Sequence, residues 1–316
     1  MEEAGNDMTT VLCTLFEGHY HHGVAALGNS LMAAGYTGQL WAGYRGELPA
    51  WATQCAGFDP ATGQLHLRGG FTICFVALDT SLHFNYYKPT FMRSVLQAHA
   101  PQARAVAYFD PDVVVNCAWR DIDIWFDGGI AMVEDVNWSL PQRHPKRLMW
   151  SRWFTPHGHP PVRSLCRCYN AGFVGVPREF MAFLDTWETL CQLVWSHNDQ
   201  LNHIKAGMAP SLFHSTDQDA MNYALMRHDM PLNTAGPEAM DFTPGGYYLS
   251  HAIDTPKPWA GRHLEQALRG RPPSAATRAY YRHAAGPIQT HSAATLAWRR
   301  MSLAIAAALG RCFRRG

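Results

Sequence analysis

Apolar and polar positions alternate along this chain in two rhythms. Thr9 to Phe16 is a short apolar run rich in β-forming residues and reads as a first buried strand. Gly18 and a His/Tyr-rich turn follow, and then Val24, Leu27, Leu31 and Ala34 recur at helical spacing. Gln39 to Tyr44 predicts a second strand, and Leu65 to Leu78 contains a further apolar run. Pro89 to Ala98 reads as a helix with proline near its first turn. Ala105 to Phe109 is a strand that runs directly into Asp110-Pro111-Asp112, and Ile130 to Val133 is another. Between Arg178 and Trp195, Phe180, Phe183, Leu184, Trp187, Leu190, Cys191 and Val194 keep the 3.6-residue period. Asp217 stands where it can cap a helix running to about Arg227. Strands that alternate with helices predict an α/β fold with a mixed, mostly parallel sheet flanked by helices.

The segment from Asn137 to Arg167, rich in Pro, Arg, Trp and His, reads as irregular structure or a lid-like insertion. Its Trp138, Trp150 and Trp153 could form an aromatic platform for a ligand, or simply fill the core. Arg269 to Pro273 is turn-rich and suggests the end of the main domain. The expected division is a catalytic domain over 1–265 and an extension over 266–316.

Composition narrows the function classes. Apolar residues make up 47% of the 316 positions and charged residues 16%, which is globular and not disordered. A formal net charge of +1 gives no global basic field for nucleic acid. The 8 cysteines sit mostly in apolar runs, as reduced, buried thiols do, and do not suggest a disulfide framework. Met1 to Asp7 is polar and acidic, unlike a secretory signal, and no apolar stretch reaches the length that spans a bilayer. The expectation is a cytosolic enzyme.

Asp110 and Asp112 flank a proline at a strand's carboxyl end, where open α/β sheets bind ligands. Two carboxylates one residue apart can hold a hard divalent cation from one side, leaving positions for phosphate oxygens and water. The alternative is a plain strand-ending turn. His19, His21 and His22 resemble a metal cluster, but fall in the turn after the first strand and read better as loop or nucleotide-contact residues.

His251-Ala252-Ile253-Asp254-Thr255-Pro256-Lys257-Pro258-Trp259 changes the weight of the aspartates. Here the chain resembles the retaining nucleotide-sugar glycosyltransferases related to glycogenin and the bacterial lipopolysaccharide galactosyl- and glucosyltransferases. Their late motif is HxxGxxKPW. His251, Lys257, Pro258 and Trp259 are in register, and Asp254 stands where that family has glycine. Tyr108-Phe109-Asp110-Pro111-Asp112, Asn170-Ala171-Gly172 followed by an apolar run and Trp187, and Asp217-Gln218-Asp219 with Asn222 repeat further family motifs in order. Phe16 and Tyr20 at the end of the opening strand, with the helix bearing Asn29-Ser30-Leu31, resemble the nucleotide-binding entry. The resemblance covers roughly residues 9 to 262.

The resemblance implies a GT-A fold, Rossmann-like, and transfer of a hexose from a nucleotide-diphosphate donor, UDP-hexose being the expected one. The acceptor would be a hydroxyl on a glycan or lipid-linked saccharide, and the stereochemistry retention. It places Asp110, Asp112 and His251 around Mn2+ or Mg2+, with Lys257 as a second positive charge on the diphosphate. Unit charges about 4 Å apart at an effective dielectric of ~20 interact by roughly 4 kcal/mol, so such a lysine has leverage on rate. Donor contacts would come from Phe16, Tyr20, Lys88, Asp110, Asn170, Ala171, Gly172, Lys257 and Trp259. Asn170 and Asp217 would hold sugar hydroxyls, and Gln218 would lie at the reacting face. For Lys88 a surface lysine at a helix start is an equal alternative, and for Asp217 a simple cap.

Two other functions compete. A nucleotidyltransferase should carry a Gly-rich, basic loop after the first strand, and Phe16-Glu17-Gly18-His19-Tyr20 lacks one. A non-catalytic sugar-nucleotide or glycan-binding protein stays open because of Asp254. Near the end, Trp298 precedes Arg299-Arg300, and Met301, Leu303, Ile305 and Leu309 lie between that pair and Arg311, Arg314, Arg315. That basic amphipathic pattern suits peripheral contact with an anionic membrane, or a helix packed on the domain.

Overall fold

The computed structural model describes residues 9–136, 139–197, 212–244 and 247–312. Trp138 of the expected platform, Phe313, Arg314 and Arg315 of the basic tail, and the Met1 to Asp7 opening lie outside the described residues.

In chain order the strands are β1 (Thr10–Glu17), β2 (Gln39–Arg45), β3 (Phe58–Asp59), β4 (Gln64–His66), β5 (Thr72–Ala77), β6 (Ala105–Phe109), β7 (Val113–Val115), β8 (Ile130–Glu134), β9 (Tyr169–Pro177), β10 (Leu232–Ala235) and β11 (Leu249–His251). The helices are α1 (His21–Ala33), α2 (Ala50–Thr53), α3 (Phe84–Ser94), α4 (Trp119–Asp123), α5 (Pro145–Phe154), α6 (Ala182–His197), α7 (Thr216–Met226), α8 (His263–Leu268), α9 (Ala275–His283) and α10 (Ala293–Cys312). The expected α/β alternation and mixed sheet are present. Contacts divide the chain into two compact units.

The first unit comprises Met1–Leu15, Leu78–Phe109 and Arg120–Pro237. Its strands run in the order β10-β8-β9-β6-β1. β1 pairs in parallel with β6, and β10 with β8, while β9 is antiparallel to both β6 and β8. β6 and β9 are buried along their whole lengths, which is why they read as continuous apolar runs and not as alternation. Gly175 in β9 is required by close packing, because a Cβ there would lie 2.1 Å from the Phe126 ring. Helix α6 buries Phe183, Leu184, Trp187, Leu190, Cys191 and Val194, the stripe its period predicts.

Other boundaries differ from the sequence reading. α3 begins at Phe84, with the His83 side chain accepting from the Asn85 amide, so Pro89 is inside the helix and not at its first turn. α7 starts at Thr216, with Asp217 already in its first turn. Asp219 reaches back instead, its Oδ2 accepting from the His214 amide at 2.8 Å and the Ser215 amide at 3.4 Å just before the helix. The expected irregular insertion contains α5, whose start is capped by the His144 ring. Trp150 on α5 is fully buried and donates to the Leu212 carbonyl, so it fills the core and cannot serve as a platform.

The second unit comprises Phe16–Ala77, Asp110–Trp119 and Glu238–Gly316. Its strands run β2-β5-β4-β3, with β2 parallel to β5, and a separate ribbon pairs β7 with β11. A core cluster joins Ala26, Val114, Trp259, Ala279, Tyr280, Tyr281, Ala284, Leu296 and Leu303. Residues beyond 265 therefore pack into this unit. Asn29 holds them to α1, donating to the His283 and Ile288 carbonyls and accepting from the Ile288 amide. No helix among the described residues is long and apolar enough to cross a membrane. The seven cysteines described are free.

Candidate active site

Two polar clusters stand out, one in each unit. In the second, β6 has just ended and the chain turns at Asp110-Pro111-Asp112, with the Val113 amide bonded to the Asp110 carbonyl at 3.0 Å. β7 then pairs antiparallel with β11, setting Val113 opposite His251. This pairing carries the imidazole to the aspartates across a long stretch of sequence. Helix α1 closes on the turn at Gly23, where a Cβ would lie 2.0 Å from the Pro111 carbonyl oxygen.

His251 Nε2 is 3.2 Å from Asp112 Oδ1 and 3.6 Å from Asp110 Oδ2. One ligand atom from each of the three residues lies within 4.8 Å of the others. Asp112 and His251 are buried, while Asp110 keeps an open side. Two carboxylates and a buried imidazole with one side open suit a divalent ion such as Mn2+ or Mg2+, so the residues fit the metal expected from sequence.

Lys257 Nζ donates to Asp112 Oδ2 at 2.7 Å and to the Ala252 carbonyl at 2.8 Å. Burial alone would raise the Asp112 carboxyl, but His251 and Lys257 hold it well below the ordinary range. Burial likewise opposes the charge on Lys257, and Asp112 more than restores it. The backbone at Asp254 is not left-handed, and the positive φ of this loop falls at Gly261. Trp259 packs edge-on to Tyr20, at 5.3 Å between ring centroids, and against Tyr280 at 5.7 Å. Tyr281 donates its hydroxyl to the Pro258 carbonyl at 2.8 Å, so α9 braces the Lys257 loop from behind. Phe16 is buried against Tyr44 and Phe75.

His21 and His22 begin α1. His21 Nδ1 accepts from Trp51, and His22 stacks on His291 with centroids 4.5 Å apart. Burial and the neighbouring His21, His291 and Arg299 push the His22 imidazole down to about 3. Among the described residues they form no metal-binding group.

The first unit holds the other cluster at the start of β9 and of α7. Lys88 Nζ lies 3.0 Å from Asp217 Oδ2 and donates to the Ala171 carbonyl at 3.1 Å. Their side chains are 2% and 5% exposed, which overturns the surface-lysine alternative. Asn85 donates to the other Asp217 oxygen. Asn222 bonds both the amide and the carbonyl of Tyr169, pinning β9 to α7. Asn170 and Gln218 meet each other, and both meet Asp135. The sequence reading missed Asp135. Its signal was the one that flagged Asp110, an acidic residue just past the carboxyl end of a buried strand.

No protein-family model matches this chain, and no curated protein matches it by sequence. Its fold is similar to that of solved glycosyltransferases. The bifunctional glycosyltransferase WbbM is 12% identical, with a TM-score of 0.55 over 93% of this chain and 52% of that one. The glycosyltransferase GlyE of Streptococcus pneumoniae TIGR4 is 12% identical, with a TM-score of 0.48 over 94% and 64%. The galactosyltransferase LgtC, solved with donor and acceptor sugar analogs, is 14% identical, with a TM-score of 0.47 over 79% and 89%. The chain thus spans about half of WbbM and under two thirds of GlyE. The WbbM likeness shows the fold alone, the expected mixed α/β architecture, over 93% of this chain.

Proposed function

We propose that the protein is a metal-dependent hexosyltransferase that moves a sugar from a nucleotide-diphosphate donor, UDP-hexose in the first instance, to a hydroxyl on a glycan or lipid-linked saccharide. The observation that carries this reading is the convergence of Asp110, Asp112 and His251, with Lys257 bonded to Asp112. A turn without a ligand would not need a buried imidazole and a buried ammonium aimed at the same carboxylate.

Asp110, Asp112 and His251 would hold Mn2+ or Mg2+, which supplies Lewis acidity to a diphosphate leaving group. Lys257 adds a positive charge for the same oxygens. Tyr20, Trp259 and Phe16 are assigned to the nucleotide side, where the buried Trp259 backs Tyr20 edge-on and Phe16 is buried against Tyr44 and Phe75. In the first unit Asn170, Ala171, Gly172, Asp217 and Gln218 are assigned to the sugar, with Lys88 holding Asp217 in place. Gln218 is an amide and a poor nucleophile, which favours attack by the acceptor on the face the diphosphate leaves, with retention. The catalytic residues fall within 1–265, and 266–316 forms the bracing extension.

We place the enzyme at a cytosolic membrane face. α10 buries Leu296, Leu303 and Ala306, but turns Trp298, Met301 and Ile305 outward, 57%, 49% and 45% exposed. Arg311 follows on the same helix, and that combination suits an anionic lipid surface.

Thermal unfolding with Mn2+ and a panel of nucleotide sugars tests the donor class. A donor at a hundred times its Kd should stabilise by about 2.7 kcal/mol. No stabilisation by any nucleotide sugar in the presence of Mn2+ would remove the reading.

A further inference from the structure

We propose that Asp135 is a positioning residue for glycosyl transfer, acting by fixing the direction of the Gln218 amide; the inference rests on the hexosyltransferase reading above. Asp135 directly follows β8, and its main chain is held independently by a 2.8 Å bond from its amide to the Cys168 carbonyl. Its Oδ2 accepts from Asn170 Nδ2 at 2.9 Å and from Gln218 Nε2 at 3.3 Å. Gln218 Oε1 in turn accepts from Asn170 Nδ2 at 3.2 Å and from the Ala171 amide at 3.3 Å. Asn170 is tied at its other end, where Oδ1 accepts from the Gly172 amide at 2.8 Å.

The direction of these bonds follows from the chemistry of the groups. An ionised carboxylate has no proton to donate, so only an amine end can face it. The amine of Gln218 must therefore point to Asp135, and its carbonyl oxygen to Asn170 and Ala171. A neutral or absent group at position 135 removes that requirement; the Ala171 amide, which can only donate, favours the same direction through a neutral bond, and the charge on Asp135 makes its bond the stronger. The direction matters because transfer builds positive charge on the sugar ring. A fixed amide dipole either meets that charge with its oxygen or opposes it with its amine, and preorganised dipoles are where electrostatic catalysis gains most. The scaffold around the cluster does not depend on Asp135. Asn222 joins α7 to β9 through its own bonds to Tyr169 and to the Gln218 carbonyl.

A double-variant cycle tests the proposal. The full chain would be assayed for nucleoside diphosphate release from UDP-glucose or UDP-galactose, whichever the wild type turns over faster, with Mn2+. Asp135→Ala should lower kcat roughly 10- to 100-fold, the loss expected for one charge-assisted hydrogen bond, with the donor KM within about threefold. In a Gln218→Ala background the same substitution should cost less than about twofold, because the other side chain bonded to Asp135, Asn170, stays tied through its Oδ1 to the Gly172 amide. Asp135→Asn is neutral and can offer Gln218 either end of its own amide, so it should lose kcat nearly as Asp135→Ala does. An unchanged kcat in Asp135→Ala, or losses that multiply in the double variant, would overturn the proposal. Should Asp135→Ala not fold, Asp135→Asn enters the cycle in its place, and multiplying losses there overturn the proposal equally. A wild type that hydrolyses no nucleotide sugar defeats the underlying reading, and the inference with it.

Discussion

Replacing Lys88 by methionine isolates one buried charge. Lys88 Nζ sits 3.0 Å from Asp217 Oδ2 with both side chains almost wholly buried. At an effective dielectric of ~20, opposite unit charges at that distance attract by about 5–6 kcal/mol. Much of this offsets the cost of desolvating both ions, so the intact pair contributes far less than that figure. Removal of one partner is a different matter, because Asp217 then stays buried and, among the described residues, its carboxylate keeps the bond from Asn85 but no cation. Such a loss costs about 3–5 kcal/mol. At roughly 2–4 °C per kcal/mol for a unit of this size, Lys88→Met should lower Tm by about 6–20 °C. Lys88→Met/Asp217→Asn should recover most of that loss, since neither ion remains. The assay is thermal unfolding of the wild type and both variants followed by near-UV circular dichroism. If Lys88→Met melts with the wild type, or the double variant melts below the single, the buried-pair reasoning is wrong.

The titration of Asp219 predicts a pH dependence. Burial raises its carboxyl to about 6, despite Lys146 at 3.2 Å and the amides of His214 and Ser215. The folded value exceeds the unfolded one, so this contribution is complete below about pH 4 and is lost as pH rises through about 6. Relative to Asp219→Asn, the wild type should lose on the order of 3 kcal/mol between pH 4 and 7 in denaturant unfolding; parallel stability curves would refute the assignment. On the lipid side, the full chain should co-sediment with phosphatidylglycerol-containing vesicles and not with pure phosphatidylcholine. Trp298→Glu/Ile305→Glu should weaken that binding roughly tenfold or more, without lowering Tm, because both side chains face outward; equal binding by the variant would remove the membrane from the account.

The parts of the fold that were legible are those whose signal is local. β1, β6 and β8 are buried on both faces and so appear as unbroken apolar runs, and α6 shows its buried stripe as a clean period. The illegible parts depend on partners far away in the chain. Pro89 reads as a helix start because proline prefers one, yet His83 caps α3 earlier and tertiary packing carries the proline inside. Asp217 looks like a cap because Asp often is one, but Lys88 claims its carboxylate and Asp219 holds the His214 and Ser215 amides that lead into the helix. In sequence Trp150 stays open between an acceptor platform and the core, and Asn29 belongs to the expected nucleotide-binding entry. Each is buried, Trp150 on the Leu212 carbonyl and Asn29 on the segment around Ile288. The convergence of Asp110, Asp112 and His251 was legible only through the motif at His251 to Trp259, since nothing local reveals that β11 pairs with β7. Asp135 carries no motif at all, and its role is set by amides that arrive from β9 and α7.

The central claim is that Asp112 and His251 hold the ion on which transfer depends. The direct measurement is Mn2+-dependent hydrolysis of UDP-glucose and UDP-galactose by the wild type, Asp112→Asn, His251→Ala and Lys257→Ala, alongside Mn2+ titration by calorimetry. The account predicts that the wild type loses activity in chelator, that Asp112→Asn and His251→Ala lose both Mn2+ binding and turnover, and that Lys257→Ala binds Mn2+ yet turns over slowly. Full activity of Asp112→Asn in the presence of chelator would contradict it.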